Sequence, residues 1–330
     1  MRVIELVIVA IFLSLFSCID MENDTLPEGT GQYGDLLVVM DSSLWNGETG
    51  TVISGCFSAT QDGLPQREPY FNVIKITPRD FTRIFKTTRN IIIVGKEPDE
   101  GNAKYSFEEN VWAKNQLVLN LITQSDKNAA SILSGNCEGL RGKFMSQEYT
   151  RLQKAYSKLK NEKVVGKVEE IVGETFAIPA DYVLAKTETD LIWLRKDFDQ
   201  KGHQISMGLI FYRSDYNSKE QLERTWLMNK REEVTKIVEG PSPGSYMTYY
   251  KEFEPVSREL SIGKHFVKEL RGLWNMENAF MGGPFVHYAF VDKTGTKIIC
   301  VDGYVFAPKF DKREFLRELE AIALSALNGN

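Results

Sequence analysis

The segment FVHYAFVDKTGTKIICVDGYVF, residues 285–306, decides the predicted fold. Two apolar runs, 285–291 and 296–306, lie on either side of DKTG, and Gly295 occupies the turn position that requires a positive φ. The short turn between two strand-like runs predicts a hairpin of two antiparallel strands. The rest of the C-terminal half must therefore supply further strands and the helices that cover them.

The segments around the hairpin supply both. We predict strands at 176–186, 190–198, 205–214 and 246–253. We predict helices after an Asn217 and Glu220 capping box, through Ile262, Phe266 and Leu270, and after Asp311 and Glu314. This order predicts an α+β fold with mainly antiparallel sheets and packed helices. The order of elements in this half resembles the Mog1/PsbP-like fold.

The N-terminal half has its own strand and helix pattern. Strands are predicted at 36–40, 71–76, 90–94 and 111–123, with helical segments between the first three. A long helical stretch runs from Ser125 and Asp126 to about Val172, and we predict two helices broken near Gly166. The chain is thus divided into an N-terminal α/β half, 34–172, and a C-terminal α+β half, 173–330.

The first 33 residues resemble a targeting signal followed by a tether. Residues 1–17 combine one early arginine with a short apolar run, which is typical of a secretory signal peptide. The run ends in LFSC (15–18), which resembles the lipobox of bacterial lipoproteins. That resemblance implies that Cys18 carries a lipid, which labelled palmitate would detect and which anchors the protein to the membrane. It also implies a lipidated tether over 18–33. The alternative is an ordinary signal peptide that is cleaved elsewhere.

The anchor predicts a cell-envelope protein. Ile19 follows the cysteine, so the aspartate that retains enterobacterial lipoproteins in the inner membrane is missing. An outer-membrane lipoprotein is therefore expected, on the periplasmic face or on the cell surface. Three acidic residues, Asp20, Glu22 and Asp24, fit an export signal and equally fit a plain soluble tether.

Composition excludes some partners. The 330 residues carry 40 basic and 45 acidic side chains, a formal net charge of −5, without a sustained basic stripe. This balance argues against nucleic acid as a partner. Three further cysteines, Cys56, Cys137 and Cys300, are widely spaced among small or apolar residues. We expect them to be buried, and their disulfide status stays open.

The sequence contains no metal-binding motif and no thiol redox motif. CxxC, HExxH and the phosphate loop GxxxxGK[ST] are all missing. The three histidines, His203, His265 and His287, lie in a loop, a predicted helix and a predicted strand. We therefore assign no catalytic residue, no metal and no cofactor.

One stretch supplies the candidate contact residues for a ligand or partner. In ELRGLWNMENAFMGGPFV (269–286) and the residue after it, these are Arg271, Trp274, Gly282, Gly283, Pro284 and His287. The glycines allow a close backbone approach, so this strand forms either a pocket floor with His287 or a bulge at a sheet edge with a hydrogen-bonded histidine. Arg271 and Trp274 form either a surface anchor or part of the core.

Three motifs resemble a family of Bacteroidetes lipoproteins. They are LWNGETG (44–50), ELRGLWNMENAFMGGPFV (269–286) and FDKREFLRELEA (310–321). The family is catalogued as domain of unknown function 4837. The resemblance therefore implies a cellular location and a fold class, and it implies no catalytic residue.

These observations favour a lipid-anchored envelope protein that binds or scaffolds a partner without catalysis. The partner is an envelope protein or a glycan. The alternative is an envelope-associated hydrolase whose site is assembled from distant residues.

Overall fold

The computed structural model describes residues 26–97 and 103–327. The signal segment and Cys18 lie outside this range, so their assignment stays a prediction. The chain divides into two compact units. The smaller unit contains Met1–Ser58 and Phe71–Phe144, and the larger unit contains Ala59–Tyr70 and Met145–Asn330.

The smaller unit is built on a five-stranded mixed sheet with the order β2-β1-β3-β5-β4. Its strands are β1 (Asp35–Val39), β2 (Asn72–Ile76), β3 (Asn90–Lys96), β4 (Lys104–Glu109) and β5 (Leu117–Thr123). Helices α1 (Ser42–Trp45) and α2 (Glu48–Phe57) connect β1 to β2, and a 3₁₀ turn and α3 (Arg83–Lys86) connect β2 to β3. These crossovers make β1 parallel to both neighbours, whereas β4 runs antiparallel to β5.

Three of the four predicted strands of this unit are confirmed, and the fourth is shorter than predicted. Its strand begins at Leu117, because the residues before it form turns. Strand β4 was not predicted, since nearly all of its side chains are exposed and it lacks an apolar pattern. The expectation of mainly antiparallel pairing holds in the larger unit and is wrong for most pairs of this sheet.

A disulfide and an aromatic cluster hold the smaller unit together. Cys56 on α2 is bonded to Cys137. The rings of Phe57, Phe71 and Phe144 meet edge to face at centroid distances of 5.9 to 6.2 Å. Such contacts add to the free energy gained from burying the rings themselves.

Two helices follow the first sheet, α4 (Asp126–Lys158) and α5 (Glu162–Val172). The predicted break near Gly166 is wrong, because the chain interrupts the helix at 159–161 instead. There the Asn161 side chain accepts a hydrogen bond from the Val164 N–H and so caps α5. Within the described residues, no helix combines the length and apolar character needed to span a membrane.

The larger unit is built on an antiparallel sheet of eight strands. The order is β10-β11-β12-β13-β8-β7-β6, and β9 pairs with β11. The strands are β6 (Val183–Glu188), β7 (Leu191–Gln200), β8 (His203–Asp215), β9 (Tyr246–Tyr249), β10 (Val256–Ile262), β11 (His265–Glu277), β12 (Ala279–Val291) and β13 (Lys297–Phe306). Two further helices are α6 (Arg224–Thr235) and α7 (Arg313–Ala323). The α+β class is therefore confirmed.

Helices cover both faces of this sheet. The α7 face of the sheet carries Val286, Tyr288 and Phe290 and packs on α5 and α7. The α6 face of the sheet carries Phe285 and Ala289, which lie in one cluster with side chains of α6. Alternation along each strand sends neighbouring side chains to opposite faces, and full burial of one large apolar side chain contributes about 1.5–3 kcal/mol.

The hairpin at 285–306 is confirmed, with Gly295 at φ 72°. The predicted helix through Ile262, Phe266 and Leu270 is wrong, since these residues belong to β10 and β11. A spacing of four residues keeps side chains on one side of a helix and equally on one side of a strand. Those three positions therefore could not separate the two structures.

Candidate functional site

The candidate contact residues lie on both faces of the eight-stranded sheet. In the register of β11 and β12, Arg271 pairs with Val286 and Trp274 pairs with Gly283. Arg271 therefore lies on the α7 face, and Trp274 lies on the α6 face. Both side chains are buried, at 3% and 2% exposure. The structure thus does not bring Arg271 together with the other candidates.

Trp274, Gly283 and Pro284 form one packing unit. The Trp274 indole donates a hydrogen bond to the Val305 carbonyl at 3.2 Å. By the register, Val305 lies opposite Pro284, which has no N–H to donate. A Cβ on Gly283 would lie 2.0 Å from the same carbonyl oxygen. The glycine therefore permits a close approach within the protein itself.

Gly282 is constrained in a similar way, since a Cβ there would lie 2.8 Å from the Trp274 carbonyl oxygen. The segment that holds both glycines pairs with β11, and the strand is paired on both sides only from Phe285 onward. The bulge does exist, as a register shift between Asn275 and Met276.

His287 belongs to a buried charged cluster on the α6 face. Its Nδ1 lies 3.3 Å from Oδ2 of Asp302, the residue directly across from it on β13. Arg231 of α6 donates to both oxygens of Asp302, from Nε at 2.6 Å and from Nη2 at 3.2 Å. Its guanidinium lies 3.6 Å above the ring of Phe285. All three charged or titratable side chains are 0% exposed.

This cluster shows what the sequence analysis missed. Arg231 and Asp302 were not among the candidates. The sequence predicted the hairpin but not its register, and the structure pairs Val291 with Ile298 and so places Asp302 opposite His287. Arg231 lies four residues after Leu227 and three before Val234, both of which the helix pattern predicted to be buried.

Cys300 lies on the same face and is a free thiol. Burial raises its pKa to about 12, even though the nearby Tyr212 hydroxyl acts in the opposite direction. The thiol therefore stays protonated at neutral pH, which makes it a poor nucleophile.

Arg271 belongs to a second buried cluster, on the α7 face. It forms ion pairs with Glu269, 3.1 Å from Nε, and with Glu320 of α7. The Tyr288 hydroxyl donates to Glu269 at 2.8 Å, and the Tyr149 hydroxyl donates to Glu320 at 2.6 Å. Each buried carboxylate thus has the arginine and a tyrosine as partners.

The pKa values in this cluster follow from the pairing. Burial alone would raise the pKa of Glu269, but the charge of Arg271 and hydrogen bonds from Arg271 and Tyr288 outweigh it, and the pKa is lowered. Burial alone would lower the pKa of Arg271, but Glu269 and Glu320 hold it well above its usual value. Glu269 and Arg271 therefore stay ionised at neutral pH.

A loop of the larger unit, 59–70, covers the Arg271 cluster. Gly63 in this loop has φ 77°, and a Cβ there would lie 2.7 Å from the Cβ of Arg271. The loop is fixed to α7 by Glu68, whose carboxylate accepts from the backbone N–H groups of Lys312 and Arg313 at 2.8 to 3.0 Å. Glu68 thus takes the place predicted for Asp311 at this helix terminus.

An open pocket lies between α6 and the segment 250–255, outside both buried clusters. Its volume is about 510 Å³, and Arg224 and Glu254 form an ion pair at its rim, 2.6 Å between Nη2 and Oε1. Its lining residues are Arg224, Thr225, Met228, Asn229, Tyr249, Lys251, Glu254 and Pro255. It adjoins the candidate region, since Tyr249 pairs with Trp274.

A second pocket, of about 710 Å³, lies in the smaller unit between Tyr105 and Phe107 of β4 and residues 134–140 of α4. Within residues 26–97 and 103–327, no three or more His, Cys, Asp or Glu side chains are grouped so that they could hold a metal ion.

Comparisons with known proteins identify families without a known activity. The model of the family described as domain of unknown function (DUF4837) matches residues 158–325, and that of a second, DUF8532, matches residues 29–157. The motif at 44–50 therefore lies in the second match. No curated protein sequence matches the chain.

Three solved structures match the chain distantly. A Bacteroides thetaiotaomicron structure is 7% identical, with 45% of this chain and 43% of that chain covered and a TM-score of 0.24. Human StAR-related lipid transfer protein 5 is 9% identical over 55% and 94% of the two chains, with a TM-score of 0.23. The human StarD13 lipid transfer and protein localization domain is 10% identical over 51% and 98%, with a TM-score of 0.20. The match spans less than half of the bacterial chain, and the Mog1/PsbP resemblance stays a prediction.

Proposed function

The chain belongs to the family of the domain of unknown function DUF4837, and we propose that it is a lipid-anchored cell-envelope protein that binds a partner without catalysis. One observation carries the binding role: the larger unit buries its strongest ionic groups in closed clusters, whereas its open pocket presents charged, amide and aromatic side chains to solvent. Charged, amide and aromatic side chains that line an open pocket can bind a ligand through direct contacts. The partner is an envelope protein or a glycan.

The Cys56–Cys137 disulfide supports the envelope as the compartment. Disulfides persist in oxidising compartments such as the bacterial periplasm and the cell surface. The lipobox-like LFSC (15–18) supports a lipid anchor on Cys18, with the outer membrane as the destination. Several acyl chains anchor a protein stably, because each buried CH₂ adds about 0.8 kcal/mol.

A hydrolase is the second candidate, and the 3.3 Å approach of His287 to Asp302 is the observation in its favour. A histidine oriented by a carboxylate is the usual general base of hydrolases. Both side chains are 0% exposed, however, so no substrate from solvent contacts them in this structure. The binding role is therefore preferred.

The anchor is tested by expressing the wild type, Cys18→Ala and the control Cys300→Ala in a Bacteroidetes host fed with labelled palmitate. The wild type and Cys300→Ala should take up label, and Cys18→Ala should not. Protease treatment of intact cells then separates the cell surface, where the labelled protein is degraded, from the periplasmic face, where it is protected. An unlabelled wild type would refute the lipid anchor.

A further inference from the structure

The open pocket of the larger unit has an apolar floor. Met228 of α6 and Pro255 are buried, and Tyr249 of β9 is half-buried beside them. A tyrosine ring at the floor offers a flat surface against which the C–H groups of a ring can pack. The volume of about 510 Å³ lies within the usual range for small-molecule sites and accommodates one or two rings.

The rim of the pocket has a net charge of +1. Arg224 and Lys251 are cationic, and Glu254 is anionic. The Arg224–Glu254 pair is open to solvent, with 39% and 77% of the two side chains exposed, so it contributes little stability and exchanges readily. A ligand carboxylate can therefore replace Glu254 on Arg224 in a bidentate arrangement.

The remaining polar groups of the pocket are available to a ligand. Within the part of the chain that the structure describes, the side chains of Thr225, Asn229 and Lys251 have no hydrogen-bond or ion-pair partner. Together with Glu254 they offer both donors and acceptors. Hydroxyl groups of a sugar need both, whereas an aromatic carboxylate needs donors alone.

We propose that this pocket binds an acidic sugar, a pyranose that carries one carboxylate. Arg224 and Lys251 contact the carboxylate, Thr225, Asn229 and Glu254 contact the hydroxyl groups, and the ring packs on Tyr249. A single carboxylate matches the net charge of the rim, whereas a phosphate dianion is repelled by Glu254. The proposal deepens the proposed binding function and depends on it for the assumption that the role is binding.

The experiment titrates the full-length chain, purified in detergent, with D-glucuronate and follows binding by saturation-transfer NMR and calorimetry. D-glucose tests the need for the carboxylate, and glucose 6-phosphate tests the preference for one charge. Glucuronate should saturate the protein and should bind about tenfold or more tightly than either control, because a charge-assisted hydrogen bond is lost or opposed in the controls.

The variant Arg224→Gln should weaken glucuronate binding by about tenfold or more, since the bidentate contact is lost. Lys264→Gln removes an exposed lysine outside the pocket and should leave binding unchanged. A wild type that does not bind glucuronate, equal affinity for glucose, or unchanged binding by Arg224→Gln would overturn the proposal. Because this titration does not involve the lipid, a failure here is distinct from a failure of palmitate labelling.

Discussion

The two faces of the eight-stranded sheet each bury an arginine, but they neutralise it differently. On the α7 face, Arg271 lies between two carboxylates, Glu269 and Glu320, and each carboxylate also accepts from a tyrosine. On the α6 face, Arg231 is paired with the single carboxylate of Asp302 and lies on the ring of Phe285. We therefore expect the loss of stability on replacing each arginine to depend on the buried carboxylates that remain without it, rather than on the arginine itself.

The largest expected effect comes from removing each arginine in turn. Arg271→Ala leaves the buried Glu320 without its cationic partner and Glu269 with only Arg258, 3.9 Å away, and should lower the free energy of unfolding by about 3–5 kcal/mol. Arg231→Ala leaves only the carboxylate of Asp302 unpaired. It should lower the free energy of unfolding by about 3 kcal/mol, the lower end of that range. Urea denaturation measures both values.

Arg213→Ala is the matched control for these two variants, because it breaks an exposed ion pair with Asp190, 2.8 Å between Nε and Oδ1. Its cost should be about 1 kcal/mol or less. If Arg231→Ala costs more than Arg271→Ala, the number of stranded carboxylates does not determine the stability of these clusters.

The next effect tests the α6 face without touching a charge. Trp274→Phe removes the indole N–H that satisfies the Val305 carbonyl and should cost about 1–3 kcal/mol, the desolvation penalty of a buried, unpaired group. The control is Trp226→Phe, whose half-buried indole makes no hydrogen bond to the described residues. Equal costs for the two variants would mean that the Trp274 hydrogen bond does not stabilise the hairpin.

The α7 face should also differ in its response to acid. The pKa of Glu269 is lowered in the folded protein, so its contribution is fully present above the usual glutamate value, about 4.3, and is lost as the pH falls through the folded pKa. Glu269→Gln should therefore reduce the loss of stability below that pH. The measurement is the free energy of unfolding as a function of pH.

Glu318 of α7 is the control, because its pKa is shifted in the opposite direction. Burial raises its pKa despite the opposing charge of Lys196, so the folded state binds the proton more tightly and gains stability as the pH falls. Glu318→Gln should make the loss of stability in acid steeper. Slopes that change in the same direction in both variants would contradict these assignments.

The two faces also differ in how far the sequence predicted them. On the α6 face, the hairpin that contains His287 and Asp302 was predicted, although its register was not, and Arg231 lies on the predicted buried stripe of its helix. On the α7 face, the partners of Arg271 come from a strand, from α4 and from α7, and no local pattern joins segments so far apart in the chain. The sequence predicts pairing within a hairpin because the turn determines it, and side-chain networks across several elements require the folded structure.

The smallest expected effect, a labelling rate without a change in stability, tests whether the α6 face is closed. Cys300 is 0% exposed and its pKa is raised to about 12, so iodoacetamide reaches the thiolate only when this face opens. In the Cys18→Ala background, without reductant, alkylation should be roughly a thousandfold or more slower in the folded protein than in denaturant, the factor for an opening free energy of about 4 kcal/mol. Mass spectrometry of the labelled peptide measures both rates. Rapid alkylation of the folded protein would show that the His287–Asp302 pair beside Cys300 is accessible, and the hydrolase would then become the better hypothesis.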